Sequence, residues 1–245
     1  MTDKPIELYI WPTPNAWKVS IALEEMELPY VVKYVHIGKG EQFTPEFLKI
    51  SPNNRMPAII DPEGPDGAPI SVFESGAILQ YLARKSGKFY GNNERERVAV
   101  EEWLMWQMGG LGPMSGQASH FRNYAPALVD DPKLIEYGRN RYFNETNRLF
   151  GVMNKRLAEV PYLAGDYSIA DMACFPWVRA FEFIGQDLDD FPVLKAWVDK
   201  LSAREAVARG MEVGREMRVD QTKLSDEQKK EQAKALFNQS AKDLK

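Results

Sequence analysis

The sequence predicts a mixed α/β domain followed by an all-α domain, and two observations support this division. Before about residue 88, short runs of β-branched and aromatic residues alternate with amphipathic helical patterns. From residue 93 onwards the strand patterns stop and one helical pattern follows another. We therefore predict a first domain over 1–88, an all-helical domain over 93–216 and a charged, helical C-terminal tail over 217–245.

The first domain has the pattern β-α-β followed by β-β-α. Its predicted elements are a strand over 6–11, a helix over 16–27, a strand over 30–37, a short helix within 44–50, strands over 57–61 and 69–73, and a helix from Ser75 to Gly87. This order predicts a mixed sheet that is covered by helices on both faces.

The second domain is predicted to consist of helices alone. They cover 94–123 with a break at Gly109–Pro113, then 133–158, 168–184, 192–203 and a short turn to about 213. Ser168 and Asp171 form an S-x-x-D capping box at the start of one helix, which indicates a folding role for both residues.

The tail carries a second capping-box pattern. Ser225 and Gln228 have the required spacing, and apolar residues recur at helical spacing from Ala233 through Leu236 and Phe237 to Leu244. Two interpretations stay open. The tail is either a solvated, partly frayed helix or a helix that docks on the protein body through its apolar stripe.

Composition and charge exclude several classes of protein. The formal charge of −4 does not favour nucleic acid or an anionic membrane as a partner, and no apolar run approaches the roughly 20 residues that span a bilayer. The first residues lack the layout of a signal peptide. A single cysteine, Cys174, and two histidines exclude a disulfide framework and a cysteine- or histidine-rich metal site. We expect a metal-free, cytoplasmic protein.

Three motifs carry chemistry, and the first is the proline that opens the strand at 57–61. In the cis form, Pro57 would turn the backbone of Met56 outward, so that its N–H and C=O can pair with a peptide ligand. Most X-Pro bonds are trans, so this motif alone indicates little.

The second motif is Glu74-Ser75, where a strand passes into a helix. A helix N-terminus suits a carboxylate, the Ser75 hydroxyl adds a donor, and Glu74 can bind an ammonium. Together they match the two charges of an α-amino acid. The alternative is that Ser75 is only an N-cap and Glu74 an exposed neighbour.

The third motif is the turn Trp11–Asn15 between the first strand and the first helix. A thiol-redox protein of this fold class would carry Cys-x-x-Cys here. This chain instead has the hydroxyl of Thr13 and the amide of Asn15, which can hydrogen-bond a thiolate supplied by a ligand. Ordinary turn chemistry would also explain these residues.

The order and spacing of the three motifs, with a helical domain behind them, resemble the glutathione transferase superfamily. The resemblance spans residues 6–213 and is strongest to the Nu class, the bacterial group related to the yeast prion-forming nitrogen regulator. It is carried by PTPN (12–15), GKGEQF (38–43), SPNNRMPAI (51–59), FESGAILQYLA (73–83), EWLMWQMGGLGPM (102–114) and YSIADMACFPW (167–177).

The resemblance implies a thioredoxin-like first domain that binds glutathione as cosubstrate. Thr13 and Asn15 are expected to hydrogen-bond the glutathione sulfur. Glu74 and Ser75 are expected to hold the γ-glutamyl end of the tripeptide.

Further residues are assigned by the same resemblance. Met56 is expected to pair with the cysteinyl backbone beside a cis Pro57. Gln42 is expected to meet the glycyl half, and Arg141 matches an arginine that contacts glutathione in this class.

The implied activity is glutathione-dependent reduction of disulfide bonds, with weak general transferase activity. Because the Trp11–Asn15 turn holds no cysteine, disulfide reduction would use two glutathiones and release glutathione disulfide. Two alternatives stay open: glutathione-dependent cleavage of an aryl ether, and a non-catalytic regulatory protein on the same scaffold.

Residues of the helical half have further predicted roles. Cys174 lies in an apolar segment and is expected to be a buried hydrophobe. His120, Phe121 and Tyr124 are candidates for the second-substrate pocket. The resemblance also implies a homodimer through helices around 94–158, for which the aromatic density near Trp103 is the physical motive.

Overall fold

The first half of the chain forms one four-stranded sheet with three helices. The computed structural model describes residues 4–218, 224–237 and 239–240. The strands are β1 (Ile6–Ile10), β2 (Tyr30–Tyr34), β3 (Ala58–Asp61) and β4 (Ile70–Phe73), and the helices are α1 (Pro14–Met26), α2 (Pro45–Ile50) and α3 (Ser75–Ser86). The strand order is β2-β1-β3-β4, with β1 and β2 parallel and β3 antiparallel to both of its neighbours.

Helices cover both faces of this sheet, as predicted. Helices α1 and α3 pack together on one face, where Leu8, Ile59 and Ile78 are fully buried. On the other face, Phe47 of α2 packs with Val35 and Ala58. The alternation of side chains along each strand produces these two separate cores. The mixed sheet predicted from the pattern is confirmed, and the fold of the first half is the thioredoxin-like one that the resemblance implied.

The second half, in its described residues, consists of helices joined by loops and contains no strand. Its helices are α4 (Glu94–Trp106), α5 (Gly112–Ser119), α6 (Lys133–Glu159), α7 (Ile169–Arg179), α8 (Phe181–Ile184), α9 (Pro192–Ser202), α10 (Glu205–Glu212) and α11 (Asp226–Phe237). Both hydrogen bonds of the predicted Ser168–Asp171 capping box are present at the start of α7. No helix within the described ranges is long and apolar enough to cross a membrane.

The predicted break at Gly109–Pro113 is wrong. Residues 107–111 form a π-helical turn that joins α4 to α5, and Leu111 and Gly112 keep right-handed helical backbone angles. Pro113 has no N–H to donate to a carbonyl of the preceding turn, so the continuous helix lacks one hydrogen bond at this point. The helix therefore widens at this point instead of ending, as π turns do when they insert a residue.

Helix α1 lies at the boundary between the two halves and packs against α3, α7 and α10. Gly210 of α10 approaches α1 so closely that a Cβ there would lie 2.6 Å from Cα of Ile21. Ser20 Oγ donates a 2.7 Å hydrogen bond to the carbonyl of Gly210. The guanidinium of Arg204 donates two hydrogen bonds to the carboxylate of Glu25, at 2.6 and 2.8 Å. These contacts fix the helix whose N-terminus carries the third motif.

Candidate active site

One cavity of about 270 Å³ gathers most of the residues expected to bind glutathione. It lies at the end of the sheet where three loops meet: the turn before α1, the loop from α2 to β3, and the turn from β4 to α3. Its walls are formed by Asn15, Ser51, Asn53, Arg55, Met56, Pro57, Glu74 and Ser75. The fold thus brings the three sequence motifs to one place.

The β4–α3 turn presents Glu74 and Ser75 in an unusual conformation. Glu74 has φ 69° and ψ 117°, a region that costs a non-glycine residue about 1–3 kcal/mol. Its exposed carboxylate accepts a hydrogen bond from Asn53 Nδ2 at 3.3 Å. Glu74, and not Ser75, is the N-cap of α3, and no side-chain bond caps this helix. The alternative that Ser75 serves only as an N-cap is therefore wrong.

The turn before α1 presents Thr13 and Asn15 at a helix N-terminus. Thr13 has extended backbone angles, its carbonyl accepts from the N–H groups of Ala16 and Trp17, and its hydroxyl makes no capping bond. Asn15 Oδ1 accepts a 3.0 Å hydrogen bond from Trp177 Nε1. Because the amide oxygen accepts this bond, the NH2 group of Asn15 is available to donate a hydrogen bond into the cavity.

Met56, Pro57 and Gln42 are three further residues that the resemblance assigned to glutathione. The Met56–Pro57 peptide bond is cis, as the resemblance implied, and both residues line the cavity. Gln42 is only 2% exposed, and its Oε1 has no hydrogen-bond partner among the described residues. A buried amide oxygen without a partner is costly, and an N–H group of a ligand would satisfy it.

Two of the three residues predicted for the second-substrate pocket face a common aromatic partner. The ring of Phe237, on α11, lies 4.3 Å from the ring of His120 and 5.0 Å from that of Tyr124. Burial lowers the pKa of His120 and raises the pKa of Tyr124. Both side chains are therefore neutral near pH 7, and the three rings form an uncharged aromatic wall.

Two predicted residues, Phe121 and Arg141, do not line the cavity. Phe121 stacks on Tyr142 at 5.4 Å and lies against Gly138, so it packs on α6, and its ring also makes an edge-to-face contact with His120 at 5.2 Å. Arg141 lies half-exposed on α6, 3.7 Å from Glu145, and lines a separate shallow groove on the outer side of that helix. Within one chain, helix α6 holds both side chains apart from the cavity, and a role for either in binding stays a prediction.

The tail docks beside the cavity, in agreement with the second of its two interpretations. Ser225 and Gln228 exchange both bonds of the predicted capping box, at 2.9 and 3.2 Å. Ala233 of α11 is fully buried, and α11 packs on the turn at 37–39 and on the segment 120–127. Beyond α11, Gln239 Oε1 accepts a 2.7 Å hydrogen bond from Nη1 of Arg55. Leu244 lies outside the described residues.

Cys174 is fully buried in α7, as predicted. Burial raises the pKa of its thiol, so no thiolate is available there at neutral pH. Among the residues that the structure describes, no group of three or more His, Cys, Asp or Glu side chains is placed to hold a metal ion.

Sequence reasoning did not find three residues that shape the site. Arg55 belongs to the segment SPNNRMPAI, but the sequence predicted no role for this residue. In the structure it lines the cavity and donates a hydrogen bond to the tail. Trp177 is distant in sequence, and no local pattern connects it with Asn15. Lys18 follows Asn15 by three positions and so shares its face of α1, a spacing that could have revealed it.

Comparison with known proteins places these features in a family. Residues 4–84 match the family model described as "Glutathione S-transferase, N-terminal domain", and residues 139–205 match "Glutathione S-transferase, C-terminal domain". The chain is 50% identical over 208 residues to the disulfide-bond oxidoreductase YfcG of Escherichia coli, which covers 84% of this chain and 94% of that protein.

Two solved structures are similar over most of the chain. A glutathione transferase from Pseudomonas putida, with one glutathione disulfide bound per subunit, has a TM-score of 0.79 and 42% identity, covering 85% of this chain and 91% of its own. A glutathione transferase from Burkholderia graminis, with two glutathione molecules bound per subunit, has a TM-score of 0.79 and 45% identity, covering 85% and 88%.

Proposed function

Because this chain belongs to the glutathione S-transferase family, we propose that it reduces disulfide bonds with the thiolate of bound glutathione. One observation carries the proposal. The headgroup site, formed by Glu74 and Ser75, shares a cavity with the amide of Asn15 in the first turn of α1, and Thr13 is the N-cap of that helix. A thiol-redox protein would have its cysteines in this turn. The chain supplies hydrogen bonds for a sulfur, and the ligand supplies the sulfur.

In the proposed binding mode, glutathione lies along the loops that form the cavity. Its γ-glutamyl ammonium meets Glu74 and its carboxylate meets Ser75 and the N-terminus of α3. Its cysteinyl backbone pairs with Met56, and its glycyl half reaches Gln42. This order places the thiol at the N-terminus of α1.

The role proposed for Thr13 and Asn15 is to stabilise the thiolate. A free thiol has a pKa of about 8.5, so little thiolate exists near pH 7. Hydrogen bonds from the hydroxyl and the amide favour the charged form, and so does the positive end of the α1 dipole. Each unit by which they lower the thiol pKa corresponds to about 1.4 kcal/mol.

The proposed reaction has two exchange steps. The first glutathione thiolate attacks one sulfur of a disulfide, forming a mixed disulfide and releasing the other sulfur as a thiolate, which takes up a proton. A second glutathione thiolate then attacks the glutathione sulfur of the mixed disulfide and releases the second substrate thiol. The substrate gains two electrons and two protons, and two glutathiones become one glutathione disulfide. Relatives with two glutathiones or one glutathione disulfide bound per subunit support this sequence.

The aromatic wall supports transfer of glutathione to an aromatic electrophile as a second activity. Phe237, His120 and Tyr124 offer three neutral rings to a flat apolar group. Attack of the same thiolate on a benzylic carbon would cleave an aryl ether, with the phenolate as the leaving group. The aromatic wall is the observation that supports aryl-ether cleavage as the second candidate function.

We also propose that the chain acts as a homodimer in the cytoplasm. Leu134 and Tyr137 of α6 are 73% and 81% exposed, and Val98 and Met105 of α4 are also exposed. Exposed apolar side chains on these two helices are typical of a protein interface. The reaction needs a compartment that keeps glutathione reduced, and the cytoplasm does so.

A coupled assay tests the proposed function. The chain is supplied with glutathione and bis(2-hydroxyethyl) disulfide, and glutathione disulfide is followed through glutathione reductase and NADPH. We expect turnover that saturates with glutathione and is lost in a Thr13→Ala/Asn15→Ala variant. Cleavage of a benzyl aryl ether without disulfide turnover would instead identify an etherase. Calorimetric binding of glutathione with neither activity would identify a regulatory protein.

A further inference from the structure

Lys18 of α1 is a buried cation directly behind the headgroup site. Its side chain is 1% exposed. Its Nζ donates to Gln107 Oε1 at 2.7 Å, to Ser75 Oγ at 3.4 Å and, weakly, to Met108 Sδ at 3.8 Å. These acceptors match the three N–H donors of an ammonium. All three are neutral groups.

Among the residues that the structure describes, none provides a close anion for this cation. Within residues 4–218, 224–237 and 239–240, no carboxylate forms an ion pair with Lys18. The ionisable groups that face it are Glu74, in the β4–α3 turn, and Cys174, in α7. The carboxylate of Glu74 is exposed and bound by Asn53, and burial keeps Cys174 a neutral thiol.

An uncompensated buried cation is costly, and the cost appears in its protonation equilibrium. Burial lowers the pKa of Lys18 to about 7. An apolar side chain would fill the same space without this penalty. An anion bound near Ser75 would therefore stabilise the charged form of Lys18.

The hydrogen bond from Lys18 also determines what Ser75 can do. Because the ammonium donates to Ser75 Oγ, the hydroxyl proton of Ser75 must point elsewhere. Its acceptor within the protein is Met108 Sδ, at 3.6 Å, and a thioether sulfur is a weak acceptor. A carboxylate oxygen at the N-terminus of α3 would be a much stronger one. Lys18 thus prepares Ser75 to donate into the cavity.

We propose that Lys18 is a positioning residue that selects a carboxylate at the headgroup site, by supplying its buried counter-charge and by orienting the Ser75 hydroxyl. The inference rests on the proposed function, since the carboxylate in question is that of the γ-glutamyl group. With Lys18, the site prefers an anionic headgroup more strongly than Ser75 and the helix dipole would by themselves.

Binding of a carboxylate at this site should also change the protonation of Lys18. A carboxylate bound near the ammonium favours its protonated form, so binding raises the pKa of Lys18 above about 7. The complex should therefore take up a fraction of a proton near pH 7.5. By linkage, affinity is greatest below pH 7 and falls as the pH rises through about 7, where the free protein loses this proton first.

The test uses two ligands without a thiol, so that no sulfur titrates. S-methylglutathione carries the γ-glutamyl carboxylate, and its 4-aminobutanoyl analogue lacks that carboxylate but keeps the ammonium. Calorimetry in two buffers of different ionisation enthalpy gives affinity and proton uptake for the wild-type chain. The same measurements on Lys18→Met, which keeps the length of the side chain, isolate the charge.

We expect wild type to take up a proton with S-methylglutathione and not with the analogue. Lys18→Met should bind S-methylglutathione at least about 10-fold more weakly, without proton uptake, and bind the analogue as wild type does. Equal losses for both ligands, or none, would show that Lys18 only fills space. If Lys18→Met does not fold, the two wild-type ligands still decide, since equal proton uptake overturns the inference. Failure of wild type to bind S-methylglutathione would instead sink the proposed function and this inference with it.

Discussion

The indole Nε1 of Trp177 donates a 3.0 Å hydrogen bond to Oδ1 of Asn15, across the boundary between the two halves of the chain. An amide can present either its oxygen or its NH2 group to a ligand, and this bond decides between them. The helical half therefore orients a residue of the proposed sulfur site without lining the cavity.

Replacing Trp177 with Phe tests this relationship. The variant keeps an aromatic side chain but frees the Asn15 amide to rotate. We expect kcat/KM for disulfide reduction to fall about 3- to 10-fold, the equivalent of one neutral hydrogen bond of about 0.5–1.5 kcal/mol. The dissociation constant of glutathione should hardly change. Trp103→Phe, remote from the cavity, is the matched control, and equal losses in both variants would contradict the prediction.

Thr13→Ala removes the hydroxyl expected to stabilise the thiolate. A hydrogen bond to a charged group is worth about 1.5–3 kcal/mol, so turnover at neutral pH should fall about 10-fold or more. The bound thiol becomes less acidic, so the rising limb of the pH–rate profile should move to higher pH. A profile that matches wild type at every pH would exclude this role.

Cys174→Ala provides the counterpart to that experiment. Its thiol is fully buried, and burial raises its pKa. The variant should therefore retain most of the disulfide reductase activity, with losses limited to those of a small cavity. A folded Cys174→Ala protein without activity would show that the chain's own thiol takes part.

Glu74→Ala tests the headgroup site through the ligand ammonium. Because Glu74 is exposed, solvent screens the pair, and the loss should be about 1–2 kcal/mol, or about 5- to 30-fold in the dissociation constant of glutathione. Calorimetry measures this directly. Glu46→Ala, an exposed carboxylate on α2, is the control. Unchanged affinity in the Glu74 variant would refute the assignment.

Phe237→Ala tests whether the docked tail contributes to the second-substrate pocket. Aromatic pairs contribute about 0.5–1.5 kcal/mol, so KM for an aromatic electrophile should rise about 3- to 10-fold. KM for bis(2-hydroxyethyl) disulfide should stay the same, because this substrate has no ring. Lys234→Ala, on the exposed side of α11, is the control. Rapid amide exchange throughout α11 would argue that the tail does not dock in solution.

The proposed dimer predicts a mass twice that of one chain by light scattering at micromolar concentration. Tyr137→Asp places a charge on the apolar surface of α6 and should shift the protein toward the monomer. Val31→Asp changes an exposed apolar residue on β2 and should not. A monomer mass for the wild-type chain by light scattering would contradict the proposed dimer.

The sequence by itself determined the order of the elements and the position of all three motifs. Strand alternation, helix periodicity and capping residues act over a few positions, so Ser168 with Asp171 and Ser225 with Gln228 could be identified from spacing alone. The cis peptide bond before Pro57 was expected from the resemblance of its motif.

Only the tertiary structure decided which distant residues contact the residues of these motifs. Three contacts join segments far apart in the chain, and no local pattern encodes them: Lys18 with Gln107, Asn15 with Trp177, and Phe237 with His120. The π turn at 107–111 likewise depends on packing, since the same glycines and proline can end a helix elsewhere. Local propensity specifies elements, whereas electrostatic partners are chosen when those elements pack.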